Sequence, residues 1–246
     1  MEQEKSFTIN MEKKKSSFVS KTLPGRIVLT ILLTSSSIFI FGVILFLSAW
    51  TLDWPKAWLF LIVFGSVSLI TALIGVIKAP EIVDSRMAKH SDNQKWDNIV
   101  VTLLGINTFI LFIVAGIDNR FSLLINVPDI VSFISLPFTS LYIIIQLWAG
   151  MTNKHFESHV RLQEGHNVVQ TGPYKIVRHL FYSTFILFWL STPLALGSFM
   201  ALIPGLFGII LLIYRTSKED KFLQGNLRGY KEYSEKVKYR LIPGIW

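Results

Sequence analysis

Long uncharged stretches dominate the first 150 residues of the chain. Four of them cover residues 27–50, 57–77, 98–117 and 130–150, and none contains Asp, Glu, Lys, Arg or His. A bilayer core of roughly 30 Å is spanned by about 20 apolar helical residues. The pattern therefore predicts four membrane-spanning helices in this part of the chain.

Two shorter uncharged stretches follow, at residues 181–196 and 199–214. They are separated only by Gly197 and Ser198, and each contains one proline. This pattern predicts a tight helical hairpin. Arms of 16 residues would reach only about 24 Å at 1.5 Å per residue, so we expect the arms to tilt little, to thin the bilayer locally, or to turn back before they cross completely.

The composition agrees with a membrane protein. The chain is 51% hydrophobic and 16% charged, whereas soluble domains contain about 25% charged residues. No cysteine is present, which excludes disulfide frameworks, thiolate metal sites and cysteine nucleophiles. No ionisable residue interrupts the uncharged stretches, which disfavours a transporter or an ion pump.

The basic residues predict how the helices are oriented. Segments 1–26, 78–97, 151–180 and 215–246 hold 22 of the 24 Lys and Arg residues. With six crossings all four segments lie on one side, which the positive-inside rule makes cytoplasmic. The net charge of +8 is thus first a topology signal. We expect a multi-pass protein of the plasma or inner membrane, or of the endoplasmic reticulum.

The predicted fold is an all-α integral membrane protein with about six transmembrane helices, the last two a short hairpin, followed by C-terminal cytoplasmic helices. Its predicted parts are a basic cytoplasmic tail (1–26), a four-helix membrane region (27–150), an interfacial connector within it (78–97) and a polar region (151–246) that contains the hairpin at 181–214.

Histidines are frequent just before the hairpin. His155 and His159 are four positions apart and would share a helix face, which is one arrangement for zinc. Glu157 lies between them rather than in a metalloprotease motif, and imidazole is common at membrane surfaces. We therefore predict no metal site and favour a hydrogen-bonded surface role.

The hairpin begins beside two cationic side chains. Gly172 and Pro173 predict a turn, and Arg178 and His179 come at the N-terminus of the first hairpin helix. Free N–H groups with guanidinium and imidazole would make a carboxylate or phosphate site. The alternative is that Arg178 merely marks the cytoplasmic edge of the helix.

Acidic residues follow the hairpin on what should be a continuous helix. Arg215 and Glu219 are four apart and could simply pair, or Glu219 and Asp220 could receive an ammonium group or hydroxyls of a ligand. Gly225 and Asn226 should end this helix. A second helix from about residue 227 would place Tyr230, Tyr233 and Val237 on one face, either for interfacial packing or to contact a cofactor.

These motifs together resemble the C-terminal signature of the isoprenylcysteine carboxyl methyltransferase and phospholipid methyltransferase superfamily. Its pattern is G-P-Y-x-x-x-R-H-P-x-Y, then R-x-x-x-E-E, then G-Y-x-x-Y. The corresponding residues here are Gly172-Pro173-Tyr174, Arg178-His179, Tyr182, Arg215, Glu219-Asp220, Gly229-Tyr230 and Tyr233.

The resemblance implies an integral-membrane methyltransferase that uses S-adenosyl-L-methionine, with a lipid or lipophilic small-molecule acceptor that enters from the bilayer. It favours O-methylation over N-methylation and implies no nucleic-acid partner. By matching position it implies His179, Arg178 and Tyr182 as catalytic residues. The cofactor-binding residues that it implies are Gly172, Pro173, Tyr174, His179, Tyr182, Arg215, Glu219, Asp220 and Tyr230.

The chain departs from the pattern at three positions. Leu180 replaces the proline after the histidine, Ser183 replaces the glycine often found after the tyrosine, and Asp220 is one methylene shorter than the second glutamate. None of these changes removes a charge. The loss of the proline does remove a fixed φ angle from the first helical turn.

A carboxylate acceptor needs alignment and exclusion of water rather than a base. An amine or hydroxyl acceptor would need a base such as His166, His179 or a tyrosine. Two other classes stay open at this point: a membrane reductase that uses NADPH and has a similar C-terminal architecture, and a lipid-binding scaffold that has lost the chemistry.

Overall fold

The structure is a computed structural model that describes residues 22–80, 94–125, 127–153, 160 and 167–246. Within these ranges it contains seven α-helices and no β-strand. The predicted all-α class is therefore confirmed for this part of the chain. The helices are α1 (Leu23–Ala49), α2 (Pro55–Lys78), α3 (Lys95–Phe121), α4 (Asp129–Thr152), α5 (Leu180–Leu196), α6 (Leu202–Asn226) and α7 (Tyr230–Lys236).

Helices α1 to α4 contain the four long uncharged stretches, and each is long and apolar enough to cross a membrane. Helix α1 begins at Leu23, four residues before the predicted start, because Thr22 caps it through a hydrogen bond from the Gly25 amide (3.3 Å). Helix α3 likewise begins at Lys95, so that Asp97 lies in its first turn. The predicted tail and the predicted connector lie mostly outside the described residues.

Helices α5 and α6 form the predicted hairpin. Helix α5 ends at Leu196, and Gly197 follows with φ +85°, a left-handed conformation that favours glycine at a helix C-terminus. Pro204 lies in the first turn of α6 and does not interrupt the helix, since proline is tolerated there. As predicted, α6 continues as one helix through Glu219 and Asp220.

The bundle is held by apolar packing among all six long helices. Helix α4 packs against α5 and α2, while α3 packs against α1 and α6. Small residues bring the backbones close together. A Cβ atom on Gly208 of α6 would lie 2.7 Å from Asn107 Nδ2 of α3 and 2.9 Å from the Trp189 ring of α5.

The hairpin turn is fixed at the far end of α3 from Asp97. Asp118 is buried and accepts hydrogen bonds from Ser198 Oγ (2.7 Å) and from the Met200 amide (3.4 Å). The turn therefore lies beside the C-terminal end of α3. The opposite end of the bundle holds the N-terminal end of α3, the start of α5 and the polar part of α6.

Candidate functional site

The segment before α5 is folded against the C-terminal tail. Gly172 has φ +57°, a left-handed conformation that favours glycine, and opens a short 3-10 helix over Gly172–Lys175. After it, the amides of Arg178 and His179 donate to the carbonyls of Tyr239 (3.0 Å) and Arg240 (2.9 Å). His179 is the N-cap of α5, so these backbone bonds place both predicted site residues beside residues 239–240.

A buried carboxylate, Asp220 of α6, is the centre of the site. It is 0% exposed, and six groups donate to its two oxygens, three to each. We call Asp220 and the five residues that donate to it the Asp220 cluster. Oδ1 accepts from Arg178 Nε (2.9 Å), His179 Nε2 (3.2 Å) and Tyr230 Oη (2.9 Å), and Oδ2 accepts from Arg178 Nη2 (3.1 Å), Gln224 Nε2 (2.9 Å) and Arg240 Nε (2.9 Å).

The charge state of the cluster follows from these contacts. Burial alone would raise the pKa of Asp220, but the hydrogen bonds from His179 and Arg178 outweigh it and hold that pKa well below its usual value. Since an ionised carboxylate only accepts hydrogen bonds, His179 carries a hydrogen on Nε2. Burial and the neighbouring Asp220 carboxylate raise the pKa of Tyr230, which keeps its phenol protonated.

All three nitrogens of the Arg178 guanidinium donate hydrogen bonds within the protein. Besides its bidentate pair with Asp220, its Nη1 donates to the carbonyls of Ser234 (3.2 Å), Val237 and Lys238 (3.1 Å). These carbonyls lie at and just after the end of α7. Arg178 thus ties α5, α6 and the C-terminal tail together, which is more than the marking of a helix edge.

Helices α5 and α6 also meet through Tyr182 and Glu219. Tyr182 Oη donates to Glu219 Oε2 at 2.5 Å, and the rings of His179 and Tyr182 lie parallel with centroids 5.8 Å apart. Glu219 is only partly buried, in contrast to Asp220. The Arg215 guanidinium lies over the Tyr182 ring at 4.8 Å.

Arg215 pairs with a residue that the sequence analysis did not select. Its Nε and Nη2 donate to Asp97 Oδ1 (2.7 Å) and Oδ2 (3.2 Å), and Asp97 is 0% exposed. Asp97 Oδ2 also accepts from the Val160 amide (2.9 Å). Asp97 borders an uncharged stretch directly, which is the one sequence signal that could have drawn attention to it.

The 3-10 helix contacts both α4 and α7. Tyr174 Oη donates to the Ala149 carbonyl (3.3 Å), and Tyr233 Oη donates to the Tyr174 carbonyl (2.7 Å). A Cβ atom on Gly172 would lie 3.3 Å from Thr152 Cγ2. Tyr230, Tyr233 and Val237 are buried together, but the helix runs only from Tyr230 to Lys236, so the predicted shared helix face holds for the two tyrosines and Val237 lies just past the helix end.

The structure therefore brings the two predicted motifs together at one end of the bundle. Residues 178–182 and 215–220 are joined by direct hydrogen bonds, and which of them contact a cofactor stays a prediction. His155, Glu157, His159 and His166 lie outside the described residues. In the ranges that the structure does describe, no three acidic or histidine residues are grouped for a metal ion.

These features define an all-helical protein with membrane-spanning helices and a polar cluster at one end of its last hairpin. Residues 132–225 match the model of the isoprenylcysteine carboxyl methyltransferase family, which confirms the resemblance seen in the motifs. The matched stretch contains Arg178 to Asp220, whereas Asp97 and Tyr230 lie outside it. With the apolar helices, the match supports a membrane methyltransferase of this type. No curated protein matches the chain.

Proposed function

We propose that the protein is an integral-membrane methyltransferase that uses S-adenosyl-L-methionine and acts on a lipid or lipid-linked acceptor. This proposal rests on the position and exposure of Glu219. It is the partly buried acid beside a cluster in which Asp220 already accepts six hydrogen bonds. Glu219 therefore retains the capacity to bind a cation.

The residues around Glu219 fit the two positive charges of the cofactor. S-adenosyl-L-methionine carries an ammonium and a sulfonium, and both are stabilised by a carboxylate and by the face of an aromatic ring. The Tyr182 ring stands beside Glu219 and already has Arg215 at 4.8 Å from its centroid. We assign Glu219 to the ammonium, and His179, Tyr182 and Tyr230 to the walls of the pocket.

We assign the other predicted residues to positioning. Arg178 and Asp220 satisfy each other and the tail, and Arg215 is held by Asp97. Gly172 to Tyr174 form the side of the site that faces α4, through the hydrogen bond from Tyr174 to Ala149. These residues keep Glu219, Tyr182 and His179 in fixed relative positions, which is what alignment of two reactants requires.

When bound, S-adenosyl-L-methionine supplies an electrophilic methyl group, and transfer to a carboxylate oxygen forms a C–O bond as the C–S bond breaks and both charges are neutralised. The protein then needs only to align the reactants and exclude water. Tyr230 stays protonated and Asp220 is a very weak base, so neither can accept a proton from a hydroxyl or an amine. A hydroxyl or amine acceptor would therefore need another base, such as His166 or His179.

The direct test is titration of the purified protein in detergent with S-adenosyl-L-methionine by calorimetry and thermal shift. We expect binding by the wild type and about 10- to 100-fold weaker binding by Glu219→Gln, because a hydrogen bond to a charged group contributes about 1.5–3 kcal/mol. Glu235→Gln, an exposed glutamate on α7, is the matched control. Binding of NADPH but not of the methyl donor would refute the proposal.

We also propose that the hairpin crosses the bilayer completely, with six crossings and with both termini and the site cytoplasmic. Asp97 and Asp118 accept hydrogen bonds from opposite ends of the hairpin, Asp97 from Arg215 and Asp118 from Ser198. They are 21 residues apart on one helix, which is about 32 Å and close to the thickness of the hydrocarbon core.

The chain contains no cysteine, so single-cysteine labelling tests this topology cleanly. With a membrane-impermeant maleimide on intact cells, Met200→Cys in the hairpin turn should be labelled like Leu123→Cys in the 122–128 connection. Lys231→Cys on α7 should react only after the cells are opened. Labelling of the Met200→Cys and Lys231→Cys variants from the same side would refute the proposed crossing.

A further inference from the structure

A cavity of about 450 Å³ lies between α1, α2 and α4. This volume is within the roughly 300–1,000 Å³ of small-molecule sites. It is lined by the middle of α1 and mainly by the C-terminal halves of α2 and α4. It is therefore in the same half of the bundle as the Asp220 cluster. Two of its three walls belong to helices outside residues 132–225.

Hydroxyl groups line this cavity although the surrounding helices are apolar. Helix α1 contributes Thr30, Thr34 and Ser37, which are spaced to share one helix face, and α2 contributes Ser68 and Thr71. Ser37 donates to the Leu33 carbonyl (2.9 Å) and Thr71 to the Val67 carbonyl (2.7 Å). The hydrogens of the Ser37 and Thr71 hydroxyls are used within the helices, so these two hydroxyls offer only lone pairs to the cavity.

Gln146 of α4 supplies a donor. It lines the cavity, and its Nε2 atom is buried with no hydrogen-bond partner among the residues that the structure describes. A buried amide without a partner is costly in a hydrocarbon environment. A ligand that places an oxygen acceptor at this depth would satisfy it once a side-chain rotation turns the amide towards the cavity.

One end of the cavity lies close to the 3-10 helix of the site. Gly150 lines the cavity, and the adjacent Ala149 accepts the hydrogen bond from Tyr174. Tyr142, also in the cavity wall, packs against Phe188 of α5 with ring centroids 4.9 Å apart. Leu33, at the opposite edge, is 52% exposed on the outer surface of the bundle. The cavity thus runs from the lipid-facing surface to the end of α4 that contacts the 3-10 helix of the site.

We propose that this cavity binds the acceptor lipid, with its hydrocarbon chain between α1, α2 and α4 and a carbonyl or other acceptor oxygen on Gln146 Nε2. This inference rests on the proposed function, since it identifies the occupant as the molecule to be methylated. It also assigns to α1 and α2 a part in acceptor binding.

Photo-cross-linking in phosphatidylcholine vesicles tests the cavity without any methyl donor. The two probes are a diazirine-labelled fatty acid methyl ester and a diazirine-labelled alkane of equal chain length. We expect the ester to label peptides of the cavity wall at least about threefold more than the alkane does. In Gln146→Leu, which removes the donor at similar volume, this preference should disappear. Ile144→Leu, two residues away and 49% exposed, is the matched control and should retain it.

A second measurement tests the link to methyl transfer. With total membrane lipid extract as acceptor and labelled S-adenosyl-L-methionine, Gln146→Leu should raise the half-saturating lipid concentration about 3- to 10-fold and leave the Kd of the methyl donor unchanged. Equal labelling by both probes, or an equal loss of donor affinity, would overturn the inference. Failure of the wild type to bind the donor would instead refute the proposed function, and the cross-linking comparison would still decide on the cavity.

Discussion

Replacement of Asp220 by asparagine is the sharpest test of the Asp220 cluster. The substitution preserves size but removes the charge, and it turns one of two acceptor oxygens into a donor group. Each oxygen now accepts from three donors, so the new NH2 group faces three other donors whichever way it points. Arg178 and Arg240 also lose their shared counter-ion.

The expected cost follows from burial. Arg178 and Asp220 are 5% and 0% exposed as side chains, and removal of one partner of such a buried pair costs about 3–5 kcal/mol. Because 1 kcal/mol lowers Tm by about 2–4 °C in a protein of this size, we expect Tm to fall by roughly 6–20 °C in detergent.

Tryptophan fluorescence during heating measures this change, and Asp53→Asn is the matched control because Asp53 is an exposed aspartate in the connection between α1 and α2. We expect that variant to lie within about 0.5 kcal/mol of the wild type. Equal Tm values for the two variants would show that Asp220 does not organise the site.

Three further predictions concern the same structural features. Arg178→Lys should lower stability by about 2–4 kcal/mol, since a lysine cannot reproduce a bidentate pair and three carbonyl contacts, and the exposed Arg228→Lys should be neutral in the same melts. Gly208→Ala should lower the free energy of unfolding by about 1–3 kcal/mol, because its Cβ would lie 2.7 Å from a neighbouring nitrogen. The control Gly225→Ala, with no atom within 4 Å of its Cβ, should be neutral or slightly stabilising. The reverse order of stabilities would refute the packing argument. The pKa of Asp220 is lowered in the folded state. Its contribution to the free energy of unfolding is therefore complete above its unfolded pKa of about 3.9 and is lost as pH falls towards the folded value. The difference in Tm between wild type and Asp220→Asn should shrink below about pH 4, and a constant difference would contradict this expectation.

The sequence was sufficient to predict the helices because their apolar stretches are long and unbroken. It also predicted the hairpin turn, since Gly197 and Ser198 are all that separates two uncharged stretches. The meeting of residues 178–182 with residues 215–220 follows from the hairpin itself. Two antiparallel arms of similar length bring the segment before the first arm beside the segment after the second.

Partner choice could not be predicted in the same way. Arg215 has Glu219 one helical turn away, a spacing that favours a pair. Its bidentate partner in the structure is Asp97, 118 positions away. The packing of α3 against α6 buries both side chains next to each other. Glu219 instead accepts from Tyr182. Local spacing gives the possible pairs, and only the tertiary packing selects among them.

The number of hydrogen bonds that each charged side chain makes distinguishes residues that position the site from residues that could bind a ligand. Asp220 and Arg178 are buried, and each makes at least five hydrogen bonds, so a ligand could reach them only by breaking bonds that stabilise the fold. Glu219 is partly exposed and, among the residues that the structure describes, accepts one hydrogen bond, from Tyr182. Substitution of Asp220 should therefore lower stability and ligand affinity together, whereas Glu219→Gln should lower affinity with little effect on Tm. That contrast follows from the geometry of two adjacent carboxylates on one helix, and it does not depend on the identity of the acceptor.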